Sequence, residues 1–158
     1  ICPLAANRLR WVRPLGVATF GAANRPQTGE RWQAAWQHLT VEPAELLDGN
    51  AVATAVYERV RSCLNDVGSL EVRATKSQIA FRRRRGFAYL WLPGQYLRNP
   101  AAEVVLSIAL GRHDSSSRFK EVVHPAERHW MHHLELGGPD DIDDEVVAWL
   151  REAAERAG

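Results

Sequence analysis

Apolar positions recur along this chain with two spacings, and the change from one to the other divides it into parts. In ERWQAAWQHL, residues 30–39, Trp32, Ala35, Trp36 and Leu39 lie three or four apart, as on one face of a helix. Val52, Val56, Val60, Cys63 and Leu64 repeat the pattern. Pro43 and the turn residues Asp48-Gly49-Asn50 precede that second helix, and Gly68 lies beyond its end. From Leu70 the spacing becomes two. Leu70, Val72 and Ala74 alternate with Glu71 and Arg73, and Ile79 and Phe81 with Gln78, Ala80 and Arg82, which predicts half-buried strands. Phe87 to Leu92 is apolar on both sides and predicts a central strand, covered on each face or shielding a groove with its rings. Glu103 to Leu110 alternates, with Val104, Leu106, Ile108 and Leu110 expected inward. After the polar loop GRHDSSSR come two more strands, Phe119 to His124 and His129 to Leu136, joined through Pro125.

Gly137-Gly138-Pro139 ends the strand pattern, and a last helix buries Ile142, Val146, Trp149, Leu150 and Ala153. Asp140, Asp141, Asp143 and Asp144 crowd its start, where negative charge meets free amides and the positive end of the dipole. The elements predict an α+β fold: a mostly antiparallel, meandering sheet of about five or six strands, packed by N-terminal helices and a C-terminal helix. Residues 1–28, rich in Ala, Asn, Gly, Pro and Arg, predict an irregular N-terminal segment, and residues 29–158 a single domain.

Composition agrees with this size of object. With 158 residues, 46% hydrophobic and 25% charged, the chain suits one globular domain with an ordinary core. No apolar run approaches the roughly 20 residues that cross a bilayer, and the first residues lack the apolar core of a secretory signal, so no membrane contact and a cytoplasmic location are expected. Cys2 and Cys63 stand far apart and read as buried free thiols, not as a disulfide framework or a zinc site. Ser77 has no G-x-S-x-G around it, and Gly137-Gly138 is followed by aspartates that would repel a phosphate. Neither a catalytic residue nor a cofactor is expected.

Two stretches carry candidate chemistry. TKSQIAFRRRRGFAYLWLP, residues 75–93, sets four arginines at the end of a hairpin formed by Ile79-Phe81 and Phe87-Tyr89. One reading is a charged turn that keeps sheet edges from pairing with other chains. The other is an anion or nucleic-acid grip: Arg82, Arg83, Arg84 and Arg85 supply charge, Arg82 and Arg84 share a face, and Tyr89 or Trp91 offers a surface on which a base stacks. A pI of about 8.1 is lower than that of a strongly basic binder. In the second stretch, HWMHHLEL, a strand places Trp130, His132, Leu134 and Leu136 on one face and His129, Met131, His133 and Glu135 on the other. His132 beside Trp130 and Leu134 reads as a core residue. His133 and Glu135 would need a third ligand from His113, Asp114 or His124 to hold a metal, and none has a diagnostic spacing to them, so no metal is expected.

At TKSQIAFRRRRGFAYLWLP, FKEVVHP, WMHHLEL and DDEVVAWLREA the sequence resembles a bacterial group, the domain of unknown function family 5655, from about Leu46 to the C-terminus. The resemblance implies a small α+β domain and no established activity. It marks Lys76, Ser77, Gln78, Phe81, Lys120, His132, His133 and Glu135 as matching recurrent motifs. Some relatives resemble a Cys/His knuckle fused ahead of the domain; here Arg13 and Gly16 stand where paired cysteines would fall. Lys76, Gln78, Lys120 and His132 are accordingly a candidate pocket for a carboxylate or phosphate.

The leading expectation is a non-catalytic binding domain for an anionic partner such as nucleic acid, using the arginine hairpin and the sheet face. The alternatives are a small enzyme or metal-binding protein on a Lys76, His132, His133 and Glu135 surface, and a subunit whose Trp32 and Trp36 dock a partner or a second copy as a homodimer.

Overall fold

Helix starts fall where side chains can satisfy free backbone amides. The computed structural model describes residues 40–95, 98 and 100–158. The segment 1–28 and the helix expected at 30–39, with Trp32 and Trp36, lie outside the described residues. After a two-residue strand, β1 (Thr40–Val41), Pro43 opens the short helix α1 (Pro43–Leu46), where its missing N–H costs nothing. Asn50 caps α2 (Ala51–Cys63), its Oδ1 accepting from the Ala53 amide at 2.8 Å. Asp143 caps α3 (Asp144–Ala157) in the same way through Val146, and Asp144 and Glu145 occupy the first turn. The α3 face is the expected one, extended by Ala154 and Ala157. On α2 the buried face includes Tyr57, whose ring lies 6.1 Å from that of Phe81.

The strands β2 (Glu71–Thr75), β3 (Ile79–Arg82), β4 (Gly86–Trp91), β5 (Val104–Leu110), β6 (Phe119–Ala126) and β7 (His129–Leu136) join β1 in one sheet, in the order β1-β2-β3-β4-β5-β7-β6. Every pairing is antiparallel. β4 stands at the centre, as its two-sided apolar pattern requires. The three described helices bury their apolar residues in one cluster with Ala74, Ile79, Phe81, Leu90, Leu106, Ile108, Leu134 and Leu136. They therefore pack on the same face of the sheet. Each of the leucine, isoleucine and phenylalanine side chains among them, fully withdrawn from water, stabilises the fold by about 1.5–3 kcal/mol.

One irregularity decides which residues reach the other face. Phe81 pairs with Ala88 but Arg82 pairs with Gly86, so Phe87 is an extra residue in β4. Phe87 and Ala88 both turn into the helix-side core, whereas Tyr89 turns to the second face and leans back over Gly86. A Cβ at residue 86 would stand 2.9 Å from Tyr89 Cζ, so a larger residue there would push the phenol aside.

The sheet departs from a simple meander after β5. The next strand in sequence, β6, forms the edge, and β7 returns between them. The connecting residues 111–118 must therefore pass across the end of β7, a span of roughly 10 Å. His132 fixes this passage. Fully buried on β7, it accepts the Asp114 amide on Nε2 at 3.0 Å, and burial pulls its pKa below the usual histidine value. Arg112 ties the same loop to Glu152 of α3, and Arg118 ties it to Asp143 and Glu145.

Candidate nucleic-acid interface

The arginine hairpin meets the C-terminal end of α3, where the last carbonyls of a helix have no partner within it. Arg83 Nη1 donates to the Ala154 carbonyl at 3.3 Å, the Arg84 amide donates to Ala157 O at 3.1 Å, and Arg85 Nη2 donates to Arg156 O. Positive charge here also faces the negative end of the helix dipole. This corrects the expectation that all four arginines form one solvated or phosphate-facing group. Arg83 and Arg85 cap a helix, which required residues 71 positions apart in sequence to meet. Arg84 remains exposed, and Arg82, partly buried, ion-pairs with Glu71 at 3.7 Å. Glu71 also holds Arg73 at 2.7 Å.

On the second sheet face the register aligns one row across four strands: Tyr89 on β4 pairs with Ser107 on β5, Ser107 with His133 on β7, and His133 with Glu121 on β6. Trp91 Nε1 lies 3.0 Å from Ser107 Oγ, and Ser107 Oγ lies 2.7 Å from His133 Nδ1. Directionality follows from the atoms available. An indole N–H can only donate, so Ser107 accepts from Trp91; its hydroxyl keeps one proton and a second lone pair, and the histidine tautomer decides whether it donates to His133 Nδ1 or accepts from it. Where Ser107 donates to Nδ1, the neutral imidazole carries its proton on Nε2. Burial, with His132 adding a smaller effect, pulls its pKa to about 4. Burial also raises the Glu121 carboxyl, and raises the Tyr89 phenol against an opposing influence from Arg82. Lys120 reaches Glu135 at 3.6 Å.

The other expected site residues do not converge. Lys76 and Gln78 lie in the β2–β3 turn, whereas Lys120 is on β6 at the far edge, four strand spacings and so roughly 19 Å from β3. His132 faces the helices and His133 faces away from them, so the two cannot line one pocket. The surface expected to join Lys76, His132, His133 and Glu135 is broken up for the same reasons. The candidate third ligands are engaged elsewhere: His124 stacks on Trp130 at 3.8 Å between ring centres, His113 meets it edge-on at 5.0 Å, and Asp114 pairs with Arg112.

Ser107 and Glu121 were not singled out from the sequence. Ser107 did leave a trace, as the one polar residue within VVLSIAL, a run buried from end to end. Val105 and Ala109, expected to face outward, are buried between their cross-strand neighbours.

A family model described as Domain of unknown function (DUF5655) matches residues 44–156. The chain belongs to this family. No curated protein and no solved structure matches it. The DUF5655 match runs from α1 to the last turn of α3, so both faces of the sheet and the arginine hairpin fall inside the domain. Among the described residues of this DUF5655 chain, no helix is long and apolar enough to cross a membrane.

Proposed function

We propose that this DUF5655 domain is a non-catalytic binding module that holds single-stranded nucleic acid on the second face of its sheet. The observation that carries the reading is the placement of Tyr89 beside Arg82, on the face the three described helices leave to other partners. A ring that stacks with any base next to a guanidinium that meets phosphate is the combination such binding uses. Arg84, exposed at the hairpin tip, adds a second phosphate contact. The reading carries a cytoplasmic location, where single strands are accessible.

Ser107 and His133 suggest a second reading, an enzyme with a serine nucleophile. Three facts weigh against it. Ser107 is only 3% exposed, its oxygen already accepts from Trp91, and a histidine with a pKa of about 4 is a weak base for its proton.

The test is binding of a single-stranded oligonucleotide by fluorescence anisotropy over a range of salt. The double variant Arg82→Ser/Arg84→Ser is compared with wild type, leaving the helix-capping Arg83 and Arg85 in place. If each arginine contacts one phosphate, the slope of log affinity against log salt falls by about 1.4. Absence of binding at low salt, or an unchanged slope, sinks the proposal.

A further inference from the structure

The polar row on the second face has a property that phosphate binding alone does not use. Its central imidazole is held in place through Nδ1 by Ser107, which leaves Nε2 for another partner. Trp91 donates to Ser107, and Ser107 has one proton to pass on; passed to His133 Nδ1, it leaves the proton of the neutral imidazole on Nε2. Among the described residues the buried polar atoms lacking a partner are Arg82 Nε, Arg83 Nε and His132 Nδ1. His133 Nε2 is not one of them, and among the described residues no hydrogen bond to it is found, so this nitrogen is available at the surface of the face.

A phosphate is best met by a cation, as Arg82 and Arg84 would meet it. A neutral N–H held at a fixed angle suits a different acceptor: an uncharged carbonyl oxygen or ring nitrogen. Tyr89 lies in the same cross-strand row, two strand spacings or roughly 10 Å from His133. A planar group lying on the face between Tyr89 and His133 has an edge within reach of the imidazole. Nucleobases carry such acceptors on their edges. We infer that His133 is a base-reading residue, donating from Nε2 to an acceptor on the edge of a base bound against the sheet face. This rests on the nucleic-acid reading above and names what distinguishes one ligand from another within it. Ser107 and Trp91 are positioning residues that act through His133.

Two measurements on the wild-type protein test it. The first compares a short oligothymidylate with a strand of equal length whose thymines are replaced by difluorotoluene, which keeps the shape and stacking of the base but accepts hydrogen bonds poorly. Wild type should prefer thymine by about tenfold, and His133→Phe should bring the ratio close to one without changing the salt slope. The second is the nitrogen-15 spectrum of the histidine side chains, in which His133 should show a protonated Nε2 and an unprotonated Nδ1 at pH 6. Binding of both strands with equal affinity overturns the base-reading role and leaves phosphate binding intact. Failure of either strand to bind at low salt removes the underlying reading and this one with it. A proton on Nδ1, or a charged imidazole at pH 6, overturns the inference directly. The wild-type comparisons decide even where His133→Phe does not fold.

Discussion

Replacing His133 with glutamine should flatten the dependence of stability on pH across the mildly acidic range. In the folded chain His133 has its pKa drawn from 6.5 to about 4, because protonation would put a charge on a largely buried ring, with His132 adding a smaller effect. In the unfolded chain it titrates near its ordinary value. Between those two pH values the unfolded state holds the extra proton, so the contribution of His133 to stability is fully present above about pH 6.5 and is lost as pH falls towards 4. One proton of difference gives a slope of up to about 1.4 kcal/mol per pH unit, and the full shift sets a ceiling of about 3 kcal/mol. Since the ring is not wholly withdrawn from water, about 2 kcal/mol is the better expectation. His132 and His129, also drawn down by burial, add slope of the same sign. Glu121 acts oppositely, because a carboxyl with a raised pKa takes up its proton earlier in the folded state. Glutamine keeps an acceptor for Ser107 and cannot titrate. Urea unfolding followed by tryptophan fluorescence at pH 7.5, 6, 5 and 4.5 gives both curves, and the wild type should lose about 2 kcal/mol more than His133→Gln over that range. Parallel curves would show that His133 titrates alike in both states, and the buried neutral imidazole would be wrong.

Three further outcomes follow from the packing. Changing Arg83 and Arg85 together to methionine should cost about 1–2 kcal/mol and speed amide exchange in the last turn of α3, whereas Arg84→Ser should stay within about 0.5 kcal/mol; equal effects in urea titrations would remove the capping role. His132→Phe keeps the ring volume but strands the Asp114 amide, at about 1–3 kcal/mol, and exchange at Asp114 should rise more than elsewhere in residues 111–118; an unaltered Asp114 rate argues against it. Arg118 holds both Asp143 oxygens at 2.7 Å, Glu145 at 3.2 Å and the Asp141 carbonyl at 2.8 Å in a partly exposed site. Arg118→Gln should therefore cost about 1 kcal/mol at low salt and clearly less at 1 M salt, by thermal melting in each buffer; an effect that salt does not reduce would mean that packing, not charge, carries the contribution.

The sequence by itself determined the elements and which side of each is apolar. That information is local: a spacing of two in Leu70–Ala74 or His129–Leu136, a spacing of three and four in the last helix, and Asn50 or Asp143 ahead of a helix, each constrain the backbone within a few residues. It also separated His132 from His133, because consecutive strand residues point to opposite faces. The family was legible as well, from motifs spread between residue 75 and the C-terminus. What it left undecided were relations between distant segments. Nothing within residues 111–136 states that β7 returns between β5 and β6, since either order satisfies the same alternation. A one-residue bulge at Phe87 reverses the facing of Gly86 relative to simple alternation, and no periodicity records it. The arginine run illustrates the limit most clearly. Its composition was obvious, yet its division into two helix-capping arginines and two facing elsewhere depended on α3 ending beside the hairpin. The partners of His133 likewise came from Trp91 and Ser107 on two other strands. Local patterns fix where a side chain points; only the packed fold fixes what it meets, and charge, tautomer and partner follow from that meeting.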